Sequence, residues 1–162
     1  AYRVLNKTTQ KAFDEYKVAH NISRTKMLYH GSPNQNWWNI CLSGVKIKPS
    51  NVSTNGSMFG TGAYFATRAI KSVGYTSIKG SKWANGSSKK AYLAVFDTAY
   101  GVPYNVNTWD SKYASFNKDK LEQEQPGANC LHAHAGASLK NDEVIFYDEA
   151  AMTIHWLIEI EE

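Results

Sequence analysis

The apolar positions of the chain change period as it runs, and that change predicts its elements. Ala12, Phe13, Tyr16 and Ala19 recur near 3.6-residue spacing, which predicts a helix over 8–21 with Thr8 or Thr9 as its cap. Residues 27–29 form a short apolar strand that ends at His30-Gly31-Ser32. A second helix is predicted over 35–43, stopped by Gly44, followed by a short strand at 45–47. Residues 49–56, rich in Ser, Asn and Gly, read as a loop. After Gly60-Thr61-Gly62 a strand at 63–66 runs into a helix over 67–75, and 77–89 is a second polar loop. Residues 91–99 read as a strand, and 101–125 as irregular chain with one short helix. Two closing strands, 143–148 and 152–160, show period two, with Thr153, His155 and Leu157 opposing Ile154, Trp156 and Ile158. Helices early and strands late predict an α+β fold built on an antiparallel sheet. With no internal repeat and no linker, residues 1–162 read as one domain, of which 1–25 are a helical lead-in.

Composition narrows the function classes. No run of 18 apolar residues occurs, so no membrane partner is expected. No charged-then-apolar leader opens the chain, which starts at Ala1 and is compatible with a longer polypeptide. Cys41 and Cys130, the only two cysteines, are too few for a disulfide framework and lack metal-ligand spacing. They read as reduced thiols of an intracellular protein, cytoplasmic or nuclear, and no metal is expected. The net charge of +4 is mild and the basic residues form no run, so anionic partners are permitted without being required.

Three segments carry candidate chemistry: 29–32, 58–66 and 142–147. Each places a polar or aromatic group at the end of an apolar run, two of them beside glycines that allow another molecule to approach the backbone. Tyr64 and Tyr75 flank a strand-to-helix unit, with Ser72 one residue triplet before Tyr75; two aromatic faces can hold a flat heterocycle and a hydroxyl can bond a carboxamide. Glu143 opens an apolar strand, where a carboxylate can bond a ribose hydroxyl and stabilise an oxocarbenium-like centre. His30 at a strand end can bond a sugar hydroxyl. Each residue also has a structural reading: core tyrosines, a solvated strand-edge glutamate beside Asp142, and a packed histidine. The residues alone reach as far as a nucleotide-binding cleft.

The ordered blocks Leu28-Tyr29-His30-Gly31-Ser32, Gly44-Val45-Lys46-Ile47, Met58 through Ala66, Lys71-Ser72-Val73-Gly74-Tyr75 and Asn141 through Asp148 closely resemble the catalytic domain of the poly(ADP-ribose) polymerases. These belong to the diphtheria-toxin-like ADP-ribosyltransferases, and the resemblance covers residues 26–160. It implies split antiparallel β-sheets with flanking helices, NAD+ consumed as substrate, and a His30–Tyr64–Glu143 triad. His30 and Ser32 would anchor the adenine-side ribose, with Asn36 near the adenosine. Gly31 and Ser72 would bind the nicotinamide carboxamide, and Tyr75 and Tyr64 would flank its ring. Glu143 would contact the 2′-hydroxyl of the nicotinamide ribose. Residues 49–56 would flank the donor site.

The resemblance also has departures. The stretch before the first block is too short for the autoinhibitory helical domain of DNA-activated members. Ser57 stands where polymer-forming members often carry an aromatic residue, and 104–141 is shorter than the acceptor-side region of strong polymerases. Glu143 itself permits elongation, so the expectation is mono- or short-chain transfer, with protein favoured as acceptor. Transfer to DNA or RNA, with Trp37, Trp38 and Trp109 as stacking surfaces, poly(ADP-ribose) synthesis, hydrolysis of NAD+ and a non-catalytic NAD or ADP-ribose binding module are the alternatives.

Overall fold

The computed structural model describes residues 1–47 and 57–162, so the predicted loop at 49–56 lies outside the described residues. In chain order the elements are β1 (Tyr2–Arg3), α1 (Lys7–Ala19), β2 (Lys26–Gly31), a 3-10 turn (Asn34–Asn36) running into α2 (Trp37–Ser43), β3 (Ala63–Ala66) and α3 (Ala69–Val73). Then come β4 (Lys90–Thr98), β5 (Pro103–Val106), a 3-10 turn (Ser111–Ser115), α4 (Lys118–Glu124), β6 (Cys130–Ala133) and β7 (Glu143–Phe146). A last 3-10 turn (Glu149–Ala151) leads into β8 (Met152–Glu161). The eight strands lie in the order β1-β8-β4-β2-β3-β7-β6-β5.

Several elements differ from the sequence reading for identifiable reasons. Helix α1 is capped earlier than Thr8 or Thr9: Asn6 Oδ1 accepts from both Thr8 N and Thr9 N at 3.0 Å. The same side chain donates to the carbonyls of Cys41 and Leu42, so one residue starts α1 and ties it to the end of α2. Residues 45–47 form no strand; Ile47 N instead donates to Glu149 Oε1 at 2.9 Å. The helix predicted over 67–75 is confined to Ala69–Val73. Strands β5 and β6 were not foreseen. They pair in parallel, the one departure from antiparallel pairing among the described strands. All four residues of β6 are buried, so it lacks the alternation that marks a half-buried strand.

Strand β8 changes phase midway. Val95 faces Trp156 but Phe96 faces Ile154, so His155 is an extra residue in a β-bulge. Ile154 and Leu157 consequently reach the same core, three residues apart, while Trp156 faces solvent.

The sheet is split in function if not in connectivity. Strand β4 runs in long register with β2 on one side and β8 on the other, whereas β2 and β3 meet at the single register pair Tyr29↔Ala66. Two cores follow. One gathers Phe13, Leu28, Trp37, Phe65, Phe96 and Phe146; the other gathers Phe59, Val106, Phe116, Leu121, Leu131 and Ile145. Alternation along β7 sends Val144 and Phe146 into the first and Ile145 into the second, so this strand is packed on both faces. Gly60 is needed where the chain enters β3: its φ of 75° is left-handed, and a Cβ there would sit 2.0 Å from the Phe116 carbonyl oxygen.

Both cysteines are free thiols. Burial pushes the Cys130 thiol up to about 12, and it donates to the Tyr100 carbonyl at 3.3 Å.

Phe146→Ala should cost about 3–5 kcal/mol, because a fully buried ring leaves a cavity that packed neighbours on both sides fill poorly. The urea-unfolding midpoint measures this, and a loss below about 1 kcal/mol would show that β7 is not the shared wall of the two cores.

Candidate active site

Of the predicted residues, His30 and Gly31 lie on β2 and Tyr64 on the neighbouring β3. His30 is the fifth residue of β2, and its Nδ1 donates to the Tyr64 backbone carbonyl at 2.9 Å. That carbonyl partner fixes the proton on Nδ1 and leaves Nε2 as an acceptor. Burial lowers the imidazole pKa, opposed by the carbonyl bond, so the ring is neutral at physiological pH. Phe65 at 5.3 Å and Phe96 at 5.8 Å between ring centroids wall it in. A side chain thus continues the link between two strands where backbone pairing is sparse.

Gly31 follows at the strand end against the backbone of α3. A Cβ on Gly31 would lie 1.9 Å from the Ser72 carbonyl oxygen, so only glycine admits this approach. Ser72 is itself buried. Ser32, also buried, accepts from Asn36 Nδ2 at 2.8 Å through its hydroxyl oxygen. Asn36 is thereby tied to Ser32 in this structure.

Tyr64 projects from β3 opposite Ile145 of β7. Its hydroxyl donates to the Gly60 carbonyl at 2.8 Å and accepts from Phe59 N at 3.1 Å, so the entry loop of β3 locks the phenol. Burial raises the Tyr64 pKa well above the ordinary range, and the nearby Glu143 carboxylate adds to the rise. Tyr75, after α3, is raised by the same two causes in the same order. Its ring stacks on Trp83, centroids 6.2 Å apart and planes 22° apart. Both phenols therefore feel the same carboxylate.

Glu143 opens β7 and is only 6% exposed. Its register partners are Ala66 of β3 and Ala133 of β6, so it stands at the inner end of a paired strand and not at a solvated edge. Lys71 Nζ lies 3.0 Å from Glu143 Oε1, with both side chains largely buried, and donates to the Asn141 carbonyl at 3.1 Å. Burial raises the Glu143 pKa, and the Lys71 charge and hydrogen bond oppose it. A dry carboxylate with one cationic partner can bond a sugar hydroxyl and stabilise positive charge that develops beside it.

The structure thus brings Tyr64, Tyr75 and Glu143 into one electrostatic neighbourhood, ties His30 to Tyr64, and seats Gly31 on Ser72. Sequence reasoning missed Lys71 and Trp83. Lys71 precedes Ser72 in the quoted block, but nothing in the sequence reports an ion pair between α3 and β7. It also missed His132, His134 and Asp142; one signal was present, a His-x-His pair whose period places both side chains on the same side of a strand. Among the tryptophans considered as stacking surfaces, Trp37 is a core residue, Trp38 is 74% exposed, and Trp109 donates its Nε1–H to the Met58 carbonyl.

The family model for the poly(ADP-ribose) polymerase catalytic domain matches residues 1–162, and the chain belongs to that family. It is 29% identical to a poly [ADP-ribose] polymerase-like protein, 100L, of Invertebrate iridescent virus 6, over 98% of this chain and 83% of the viral one. It is 26% identical to the poly [ADP-ribose] polymerase of Drosophila melanogaster over 99% of this chain. It is 30% identical to poly [ADP-ribose] polymerase 2 of Arabidopsis thaliana over 67% of this chain. The chain spans only 17% of the fly protein and 15% of the plant protein, both much longer. No helix among the described residues is long and apolar enough to cross a membrane.

Gly31→Ala should destabilise the fold by about 1–3 kcal/mol, since β2 and α3 must separate to admit the methyl group. Chemical denaturation reports the loss; an unchanged midpoint would show that the Gly31–Ser72 approach is not required.

Proposed function

We propose that this chain transfers ADP-ribose from NAD+ to a macromolecular acceptor, with nicotinamide as the leaving group. The observation that carries the reading is Glu143: a buried carboxylate paired with Lys71 and electrostatically coupled to Tyr64 and Tyr75. Tyr75 and Tyr64 flank the nicotinamide ring, and Gly31 with Ser72 holds its carboxamide. His30, through its free Nε2, and Ser32 hold the adenine-side ribose, with Asn36 orienting Ser32.

The reaction asks little of acid catalysis. The bond from the ribose anomeric carbon to the pyridinium nitrogen breaks, and its electron pair leaves with a neutral nicotinamide. Positive charge grows on the ribose, where the Glu143 carboxylate, bonded to the 2′-hydroxyl, stabilises it more than in the ground state. The acceptor nucleophile forms the new bond and its proton leaves to water. Lys71 keeps the carboxylate ionised within a desolvated wall.

Protein is the favoured acceptor and mono- or short-chain transfer the favoured outcome. The chain-length reading rests on Ser57 and on the short 104–141 region, which carries α4 and β6. Of the three tryptophans considered as a base-stacking surface, Trp37 is buried, which leaves Trp38 and the partly exposed Trp109 to support one.

Glu143→Gln should cut turnover at least roughly 10²-fold while NAD+ affinity stays within a few fold, because the lost group acts on the transition state. Labelled NAD+ offered with protein, DNA and RNA measures this and identifies the acceptor by where label accumulates. Unchanged turnover removes Glu143 from the mechanism, and label on nucleic acid alone replaces protein as acceptor.

The pH profile provides a second check. Glu143 must be ionised and its pKa is raised above the ordinary 4.5, so activity should fall as pH drops through a limb above that value. Lys71→Met removes the opposing charge and should move the limb to higher pH. A limb that stays in place would show that Lys71 does not tune the carboxylate.

A further inference from the structure

Beyond the transferase reading, and independent of it, a second group of side chains converges on the opposite edge of β7. We propose that His132, His134 and Asp142 form a three-ligand site for a divalent transition-metal ion, Zn2+ by the chemistry of the donors. One ligand atom from each of the three lies within 4.8 Å of the other two. His132 Nε2 is 2.8 Å from Asp142 Oδ2, and His134 Nδ1 is 3.7 Å from the same oxygen. An ion about 2.1 Å from each donor in tetrahedral geometry needs the donors roughly 3.4 Å apart, which lies between those two distances.

The surrounding hydrogen bonds point each donor inward. Asn105 Oδ1 lies 2.7 Å from His134 Nε2, so that nitrogen carries the proton and Nδ1 turns its lone pair towards Asp142. Two electron-rich atoms then face each other, an arrangement that a cation between them relieves. The Tyr100 hydroxyl lies 2.6 Å from His132 Nδ1 and can accept its proton when Nε2 binds an ion. Ala135 N donates to Asp142 Oδ1 at 2.9 Å, leaving Oδ2 shared by the two histidines. Outer partners of this kind orient metal-binding imidazoles and carboxylates. The rings are also held parallel, with centroids 4.1 Å apart and planes 11° apart. Two imidazoles and one carboxylate with a position open to water match the donor set of zinc sites. The Lys26 ammonium sits over the Tyr100 ring at 4.2 Å.

The consequence lies next door. Asp142 directly precedes Glu143, and Asn141, one residue further back, holds Lys71 through its carbonyl. An ion at this site would join the end of β6 to the residue entering β7 and set the backbone from which Glu143 projects. This goes against the sequence expectation that the chain holds no metal.

The test uses the full chain, tag-free and stripped with chelator, titrated with Co2+ and then Zn2+. One equivalent of Co2+ should produce visible d–d bands of a four-coordinate nitrogen–oxygen site, which Zn2+ abolishes, and either ion should raise the melting temperature. His134→Ala, at a partly exposed side chain whose fold is checked by its urea midpoint, should lose the bands. Asn105→Ala should keep the site and weaken it about 10–100-fold. No saturable band in the natural chain, or the same band in His134→Ala, overturns the proposal and leaves the cluster a hydrogen-bonded network without an ion.

Discussion

The carboxylate of Glu143 is buried, and that placement constrains everything around it. A charge removed from water is costly unless paired and hydrogen-bonded. Lys71 supplies the pair by reaching from α3 to the start of β7, and α3 can lie against β2 only because Gly31 has no side chain to obstruct Ser72. Strand β2 is thus close-packed against α3 and only sparsely paired with β3. His30 links the two strands by donating to the Tyr64 carbonyl, and Tyr64 is in turn locked by the loop that Gly60 turns. Remove one of these and the charge either loses its partner or gains water.

Strand β7 is the mechanical counterpart of that electrostatic arrangement. Its alternate residues enter two different cores, so its position is fixed from both faces. A carboxylate carried at its first residue inherits that rigidity, which suits a group that must meet a developing charge without rearranging. The parallel pair β5–β6 extends the same wall outward, and β6, with the residue just past it, supplies His132 and His134, the two histidines beside Asp142.

The long periodic segments were legible in the sequence: α1, α2, β2, β4, β8 and the terminating Gly44 with its φ of 79°. The resemblance added the His30–Tyr64–Glu143 grouping, which spacing alone could not assemble. What stayed hidden has physical causes. Strand β6 is buried throughout and carries no alternation, and β5 is a short strand with a proline. The bulge at His155 reverses the phase of β8, so a single alternating pattern assigned half of that strand to the wrong face. The cap of α1 was displaced from the threonines because Asn6 has a second task at the end of α2. Lys71 was hidden because an ion pair between distant segments leaves no periodic trace.

The two thiols differ in a way that is experimentally useful. Cys130 is sealed in the core with its proton held to a carbonyl, so alkylating reagents that need a thiolate will pass it by. Cys41 is partly exposed on α2, five residues beyond Asn36. Burial raises the Cys41 thiol pKa too, so a maleimide fluorophore would attach there more slowly than at a fully exposed cysteine but without any mutagenesis. Its emission would then report on the helix beside the ribose-holding end of the cleft as ligands enter and leave.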